Sequence, residues 1–240
     1  FKWNVNANVS YNKNEITELY NGVTEYVASD TGRMVAVGHP LGEFYLNRYA
    51  GVNPTNGDAL WYTKDGEITT EYNESDKVML GKTHEAPWQG GFGTTLSWQG
   101  FSLSAQFTWV ADRWMLNNDR VFQESNGLFS AYNQSKRMLY DRWKKPGDVT
   151  DIPRYGVTPQ LDSRFLEDAS FLRLKNLELG YSCPKKWLQG FVISNARVFV
   201  RGTNLLTFSK FNLWDPELAT GDGAKYPAMK SVSVGFDITF

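Results

Sequence analysis

The first eleven residues alternate without a break. Phe1, Trp3, Val5, Ala7, Val9 and Tyr11 are apolar or aromatic, and Lys2, Asn4, Asn6, Asn8 and Ser10 lie between them. Residues two apart on a strand share a face, so this pattern predicts a strand with one greasy face and one wet face. The stretch Lys230 to Phe240 repeats it, with Val232, Val234, Phe236, Ile238 and Phe240 set against Ser231, Ser233, Gly235, Asp237 and Thr239. A hairpin is legible in the middle. Phe92, Thr94, Leu96 and Trp98 lead into Gln99-Gly100, and Phe101, Leu103, Ala105, Phe107 and Trp109 follow. A two-residue turn pairs Trp98 with Phe101 and keeps both faces in register.

Three further strands are predicted, over Glu43 to Gly51, Phe171 to Tyr181 and Asn195 to Leu205. In the second of these the apolar parity flips between Leu174 and Leu177, which predicts a β-bulge near Lys175-Asn176. The count is about seven antiparallel strands. Their connections alternate in length. Residues 52–89, 112–165 and 206–229 are long, and 99–100 and 183–194 are short. The exception is 12–42, a long segment at the short-turn end. Residues 112–165 make a connection of 54 residues, with a short helix expected over Gln134 to Trp143. Structureless loops beyond ~12–15 residues are uncommon in compact soluble domains.

Two architectures fit the alternation. A soluble carbohydrate-binding or adhesive β-sandwich would bury the greasy faces against a second sheet. A membrane barrel would turn them to lipid. The first strand, at ~3.3 Å per residue and a tilt near 45°, spans roughly 25 Å, the height of a barrel's apolar band. Seven strands cannot close such a barrel, which needs an even number of at least about eight. An open edge in lipid costs several kcal/mol for each unpaired backbone group. The barrel reading therefore expects more strands than this chain holds. The start in mid-pattern, on Phe rather than Met, points the same way.

Composition removes some classes. The net charge is −1 with no basic stripe, which speaks against a nucleic-acid partner. Mean hydropathy is −0.45, and no apolar run approaches the ~20 residues of a membrane helix. Alternating strands keep that average low, so a barrel stays open. Cys183 is the only cysteine, which leaves no internal disulfide and no cysteine metal cluster.

Several stretches resemble one family, the TonB-dependent outer-membrane transporters of the SusC/RagA type. Gly38-His39-Pro40-Leu41-Gly42-Glu43-Phe44-Tyr45 is similar to the family's Gly-x-Pro-(Ile/Leu)-Gly-x-Phe-Tyr. Arg164 to Leu177 matches its most characteristic block nearly throughout. Gly202-Thr203-Asn204-Leu205-Leu206-Thr207 resembles its Gly-x-Asn-Leu-Leu-Thr, and Asp215-Pro216-Glu217 also fits. Cys183 before Pro184 departs from the aliphatic residue more usual there. Ser233, Gly235, Ile238 and Phe240 resemble the C-terminal signal read by barrel-assembly machinery.

The resemblance implies an all-β fold: the C-terminal part of a transmembrane barrel of roughly 22 strands with a plugged lumen and long external loops. Residues 1–240 would be a C-terminal barrel segment of wall and external loops, with the plug domain and earlier strands upstream. It implies a multi-pass protein of the outer membrane that imports oligosaccharides or peptides. The implied partners are the TonB complex, a SusD-like surface lipoprotein, outer-membrane lipid and the substrate.

Enzyme chemistry has little support in the residues. His39 and His84 sit in no metal-ligand spacing, and no nucleophile elbow or phosphate loop appears. No catalytic residue, metal or cofactor is expected. Glu167-Asp168 is read as a loop anchor with Arg164 as partner. Thr63-Lys64-Asp65-Gly66-Glu67 lies where the family often carries a loop resembling a calcium site, but its acids lack EF-hand spacing and read as a solvated loop. The aromatics of the long connections, Trp114, Tyr132, Trp143, Tyr155 and Trp214, are the candidates for contact with substrate or with a lid protein. Flat rings suit stacking on sugars or packing on peptide side chains. The alternative is that they pack the loops against one another.

Overall fold

A computed structural model describes residues 1–28, 32–129, 131–190, 192–211, 215–217 and 226–240. Six strands form one antiparallel sheet: β1 (Lys2–Tyr11), β2 (Trp88–Trp98), β3 (Phe101–Ala111), β4 (Phe171–Ser182), β5 (Asn195–Ser209) and β6 (Ser231–Thr239). Each pairs with its neighbour in chain order, so the sheet is a meander. The β2–β3 hairpin pairs Trp98 with Phe101. Its turn residues Gln99 and Gly100 have φ of 48° and 91°, both left-handed, which suits a two-residue turn whose twist matches the strands. The expected bulge is present: the register of β4 shifts between Leu174 and Asn176 against β5, and at the same level against β3.

The register assembles one apolar face. Trp98, Phe101, Tyr181, Val198 and Phe236 form a row close to the short turns, with only Ala196 and Ile238 beyond it. Leu96, Leu103, Leu179, Val200 and Val234 form the next. Two rows beyond, Phe92 stacks on Phe107 at 4.7 Å, and at the far end Tyr11 meets Trp88 at 4.4 Å. Aromatic rings thus border aliphatic rows on both sides. Ten residues separate Trp88 from Trp98 along β2, which at ~3.3 Å each and a tilt near 45° gives a band of roughly 23 Å.

This face is bare. Leu179 is 54% exposed and Phe101 53%, although both lie inside the sheet rather than at its edges. A sandwich would have buried them, so the sandwich reading fails on this observation. The sheet is also open: β1 and β6 are edge strands, and six strands do not meet the length of a closed wall.

The true core lies in the connections. Phe44 and Leu46 are fully buried with Leu166, and Leu80, Trp114, Leu116 and Leu161 pack around them. The first connection contributes a four-stranded sheet (Glu25–Ala28, Arg33–Ala36, Glu43–Leu46, Val78–Thr83) and a three-stranded one (Tyr49–Val52, Ala59–Tyr62, Ile68–Thr69). The second contributes a strand pair, Trp114–Leu116 with Leu166–Asp168, and two short helices, Asn118–Gln123 and Lys136–Tyr140. The second helix falls inside the expected Gln134–Trp143 span.

One expected strand is corrected. Glu43 to Gly51 is not a wall strand, and the sheet holds six strands rather than seven. Glu43–Leu46 and Tyr49–Val52 belong to the packed connection. Glu43, Phe44 and Leu46 are all buried, so both sides of this segment face protein. Glu43 stays buried because the Gly81 N–H donates to its Oε1 at 2.7 Å. The correction removes the earlier anomaly. Residues 12–87 become one long connection, and every long connection then leaves the same end of the sheet.

Candidate functional site

The polar side of the sheet carries the groups that alternation turned away from the greasy face. Asn4, Asn6 and Asn8 line β1, and Ser102, Ser104 and Gln106 line β3. Glu178 sits between two cations, with Arg197 Nη2 at 2.5 Å and Arg201 Nη2 at 2.6 Å. Both guanidiniums also lie about the Phe199 ring, at 5.3 and 5.1 Å. That ring covers Gly235 on the neighbouring strand, where a Cβ would come within 2.3 Å of Phe199 Cζ. Gly235 is therefore required by close approach, with no positive φ involved.

At the long-connection end of the sheet the first two long connections are stapled together. Asn47 and Asp162 form a bridge between them. Asp162 is fully buried, and its Oδ2 accepts from Trp61 Nε1 at 2.9 Å. Burial pushes its carboxyl above the usual range, against the pull of Arg164. Arg164 stacks over Phe165 and Tyr49 at 4.4 and 4.7 Å. A second network joins Arg120 to Glu167 at 2.7 Å and to Glu124 at 3.0 Å. Arg137 bonds Glu124 at 2.6 Å and Asp151 at 2.7 Å. Burial works against the Arg120 charge, but Glu124 and Glu167 outweigh it and raise its pKa. Glu167 is thus a loop anchor as expected, but its partner is Arg120 rather than Arg164.

A latch joins the third long connection to the six-stranded sheet. Arg173 projects from the polar side of β4 and is only 2% exposed. Its guanidinium bonds Asp215 Oδ1 at 2.5 Å, Glu217, and Thr207 Oγ1 at 3.0 Å. Lys175 adds a second cation to Glu217 at 3.1 Å. Asp215 also accepts from the backbone N–H groups of Glu217 and Ala228. Arg113 donates to the carbonyl of Pro216 at 2.8 Å. Sequence reasoning singled out Asp215-Pro216-Glu217 without its partner. The signal was available: Arg173 occupies a wet-face position beside the greasy Leu172 and Leu174.

The candidate aromatics divide into two kinds. Trp114 is half-buried against the Phe44 core, with Lys82 Nζ 3.3 Å from its ring centre and its Nε1 bonded to Asp112. Trp143 is also half-buried. It lies on Gly57, where a Cβ would sit 2.4 Å from the ring, and donates to the Pro54 carbonyl at 3.2 Å. Tyr132 and Tyr155 point outward, 59% and 67% exposed. Tyr132 rims a cluster with Phe122 and Phe129. Tyr155 lies beside Gly127 and under Arg142. Asn126 Nδ2 donates to the carbonyls of Arg154 and Val157, which holds these two segments side by side. Trp214 lies outside the described residues.

The remaining candidates have local partners. His39 bonds Glu43 and His84 bonds Glu85, each at 2.9 Å. Thr63 to Glu67 form a tight turn: the Gly66 N–H donates to the Thr63 carbonyl, and the Lys64 N–H takes up Asp76. Among the described residues no three acids, histidines or cysteines are grouped to hold a metal ion. At β6, Ser233 and Gly235 lie on the polar face, Ile238 on the apolar one, and Phe240 follows the strand end.

No family model matches the chain. Curated relatives do. TonB-dependent receptor P3 of Formosa agariphila is 25% identical over the whole chain, which covers 27% of that receptor. TonB-dependent receptor SusC of Bacteroides thetaiotaomicron is 25% identical over the whole chain and 24% of its own length. Among solved structures, the RagAB peptide transporter superposes with a TM-score of 0.92 at 37% identity, over 99% of this chain and 27% of that one. The "closed-closed" state of the RagAB peptide importer gives 0.90 at 38% identity, with the same coverage. The chain spans about a quarter of the length of the relatives it matches.

Proposed function

From a chain that is SusC/RagA-type TonB-dependent receptor sequence, of the outer membrane and not of an enzyme, we propose a specific role in import: six contiguous wall strands of the barrel, with the packed connections forming part of its outer mouth. The observation that carries this is the bare apolar face, bordered by aromatic rows roughly 23 Å apart. Lipid is the solvent that such a face fits. The long connections then lie outside the cell, and the turns at 99–100 and 183–194 lie in the periplasm. Further strands close the barrel, to roughly 22 with a plug in the lumen. The last strand, through Ser233, Gly235, Ile238 and Phe240, acts as the assembly signal.

The transported class is peptides ahead of oligosaccharides. The superposition on a protein described as a peptide transporter, at 37% identity, supports that order. Energy comes from the TonB complex, and a SusD-like surface lipoprotein covers the mouth. Tyr132 and Tyr155 are the rings placed to meet substrate or lid, while Trp114 and Trp143 stiffen the loops beneath. The test is to purify the protein from outer membranes and identify co-purified ligands by mass spectrometry. Peptides are expected, and Y132A/Y155A should lower peptide capture about tenfold without loss of fold. Co-purification of glycans alone, or full solubility in plain buffer, would overturn the reading.

A further inference from the structure

The two short turns at one end of the sheet differ sharply. Gln99-Gly100 is minimal and polar. The link after β4 is longer and carries Lys185, Lys186, Trp187, Leu188 and Val192. Lys185–Leu188 form a single helical turn after Pro184. The base of the link is fixed: the Cys183 N–H donates to the Ala196 carbonyl at 2.8 Å, and the Ser194 N–H to the Thr239 carbonyl at 2.7 Å. Its tip is not packed. Trp187 is 59% exposed and Val192 84%, and both lysines are exposed. Among the described residues neither lysine forms an ion pair and Trp187 meets no other ring.

An exposed Trp between a fixed base and two free cations is poor design for a turn in water. It makes sense beside a membrane surface. The link leaves β4 just after Tyr181 and enters β5 just before Val198, and both belong to an aromatic row beyond which the apolar face holds only Ala196 and Ile238. The tip therefore continues that face past its last row, at the level where headgroups begin. Indole rings favour this level, and paired lysines there attract anionic headgroups. We propose that the 183–194 link is a headgroup anchor, with Trp187 seated in the interface and Lys185 and Lys186 holding an anionic phospholipid of the adjoining leaflet. This rests on the wall reading above and adds a lipid site to it.

The test uses the membrane-inserted protein in vesicles of brominated phosphatidylglycerol or brominated phosphatidylcholine, which quench tryptophan on contact. The difference between wild type and W187F isolates Trp187. Its association with phosphatidylglycerol should exceed that with phosphatidylcholine by about 30-fold, the product expected of two lysines near an anionic surface. K185Q/K186Q should abolish the preference while leaving Trp187 quenched. If W187F leaves quenching unchanged, or the preference survives K185Q/K186Q, the anchor is refuted. The wall reading has its own signal in the same experiment. Trp3, Trp88, Trp98 and Trp109 lie on the apolar face and should be quenched by either lipid. Loss of that signal would refute the wall, whereas its presence with a silent Trp187 would refute the anchor alone.

Discussion

Replacing Arg173 with Met should release the third long connection from the wall while leaving the sheet intact. Arg173 is 2% exposed and Asp215 3%, and all three guanidinium nitrogens are engaged. Removing one partner of a buried ion pair costs about 3–5 kcal/mol, because the other charge is left without compensation. Here Asp215 keeps two backbone donors and Glu217 keeps Lys175, which places the cost near the lower figure. About 3 kcal/mol corresponds to roughly a hundredfold rise in the locally open population. The Glu217 and Ala228 amides report it directly, since both donate to Asp215. Hydrogen exchange followed by mass spectrometry should show protection there falling about a hundredfold, with β4 and β5 unchanged. The double variant R173M/D215N should cost less than the sum of the single changes, because the second removes the charge that the first stranded. Unchanged protection in R173M, or strict additivity in the double variant, would refute the latch.

Two other outcomes follow from the same geometry. Gly235→Val would drive a side chain into the Phe199 ring, 2.3 Å from where its Cβ would lie. Such overpacking costs about 1–3 kcal/mol, so the fraction of protein shifting on boiling in detergent gels should fall, and an undiminished fraction would count against the close approach. Acid should open the latch as well. Burial pushes the Asp215 carboxyl up, but Arg173 and the two backbone N–H groups more than offset it and hold its pKa low. Stability from a lowered carboxylate is present above its unfolded value, about 3.9, and fades as pH falls through the folded one. Exchange at residues 215–217 should therefore rise only below about pH 4, and a rise nearer neutrality would point to another group.

Alternation made the wall legible. β1, the hairpin and β6 each show the period of two, and the flip from Leu174 to Leu177 located the bulge. Glu43 to Gly51 holds strands, but not strands of the six-stranded sheet. Alternation reports that two faces differ, not what covers them. Phe44 and Leu46 are covered by Leu166, more than a hundred residues on. Wall and core strands part only once tertiary contacts are known. The aromatics failed to sort for a related reason. Trp143 and Tyr155 both sit among polar neighbours, and only the position of Gly57 decides that one ring lies flat while the other stands clear. The expected partner of Glu167, Arg164, is its neighbour in sequence, whereas Arg120, which bonds it, lies 47 positions away.

The buried cluster of Phe44, Leu46 and Leu166 draws its members from two connections that leave different strands. Neither connection can be exchanged for a relative's by itself, because each would arrive with half of an interior. Diversification of these connections is therefore constrained to two channels. Exposed positions such as Tyr132 and Tyr155 can vary one at a time, and the interior must change in matched pairs. On the role proposed above, recombination between such proteins would succeed where its breakpoints keep 12–87 and 112–170 together, and the pair of connections, rather than the single loop, would be the heritable unit.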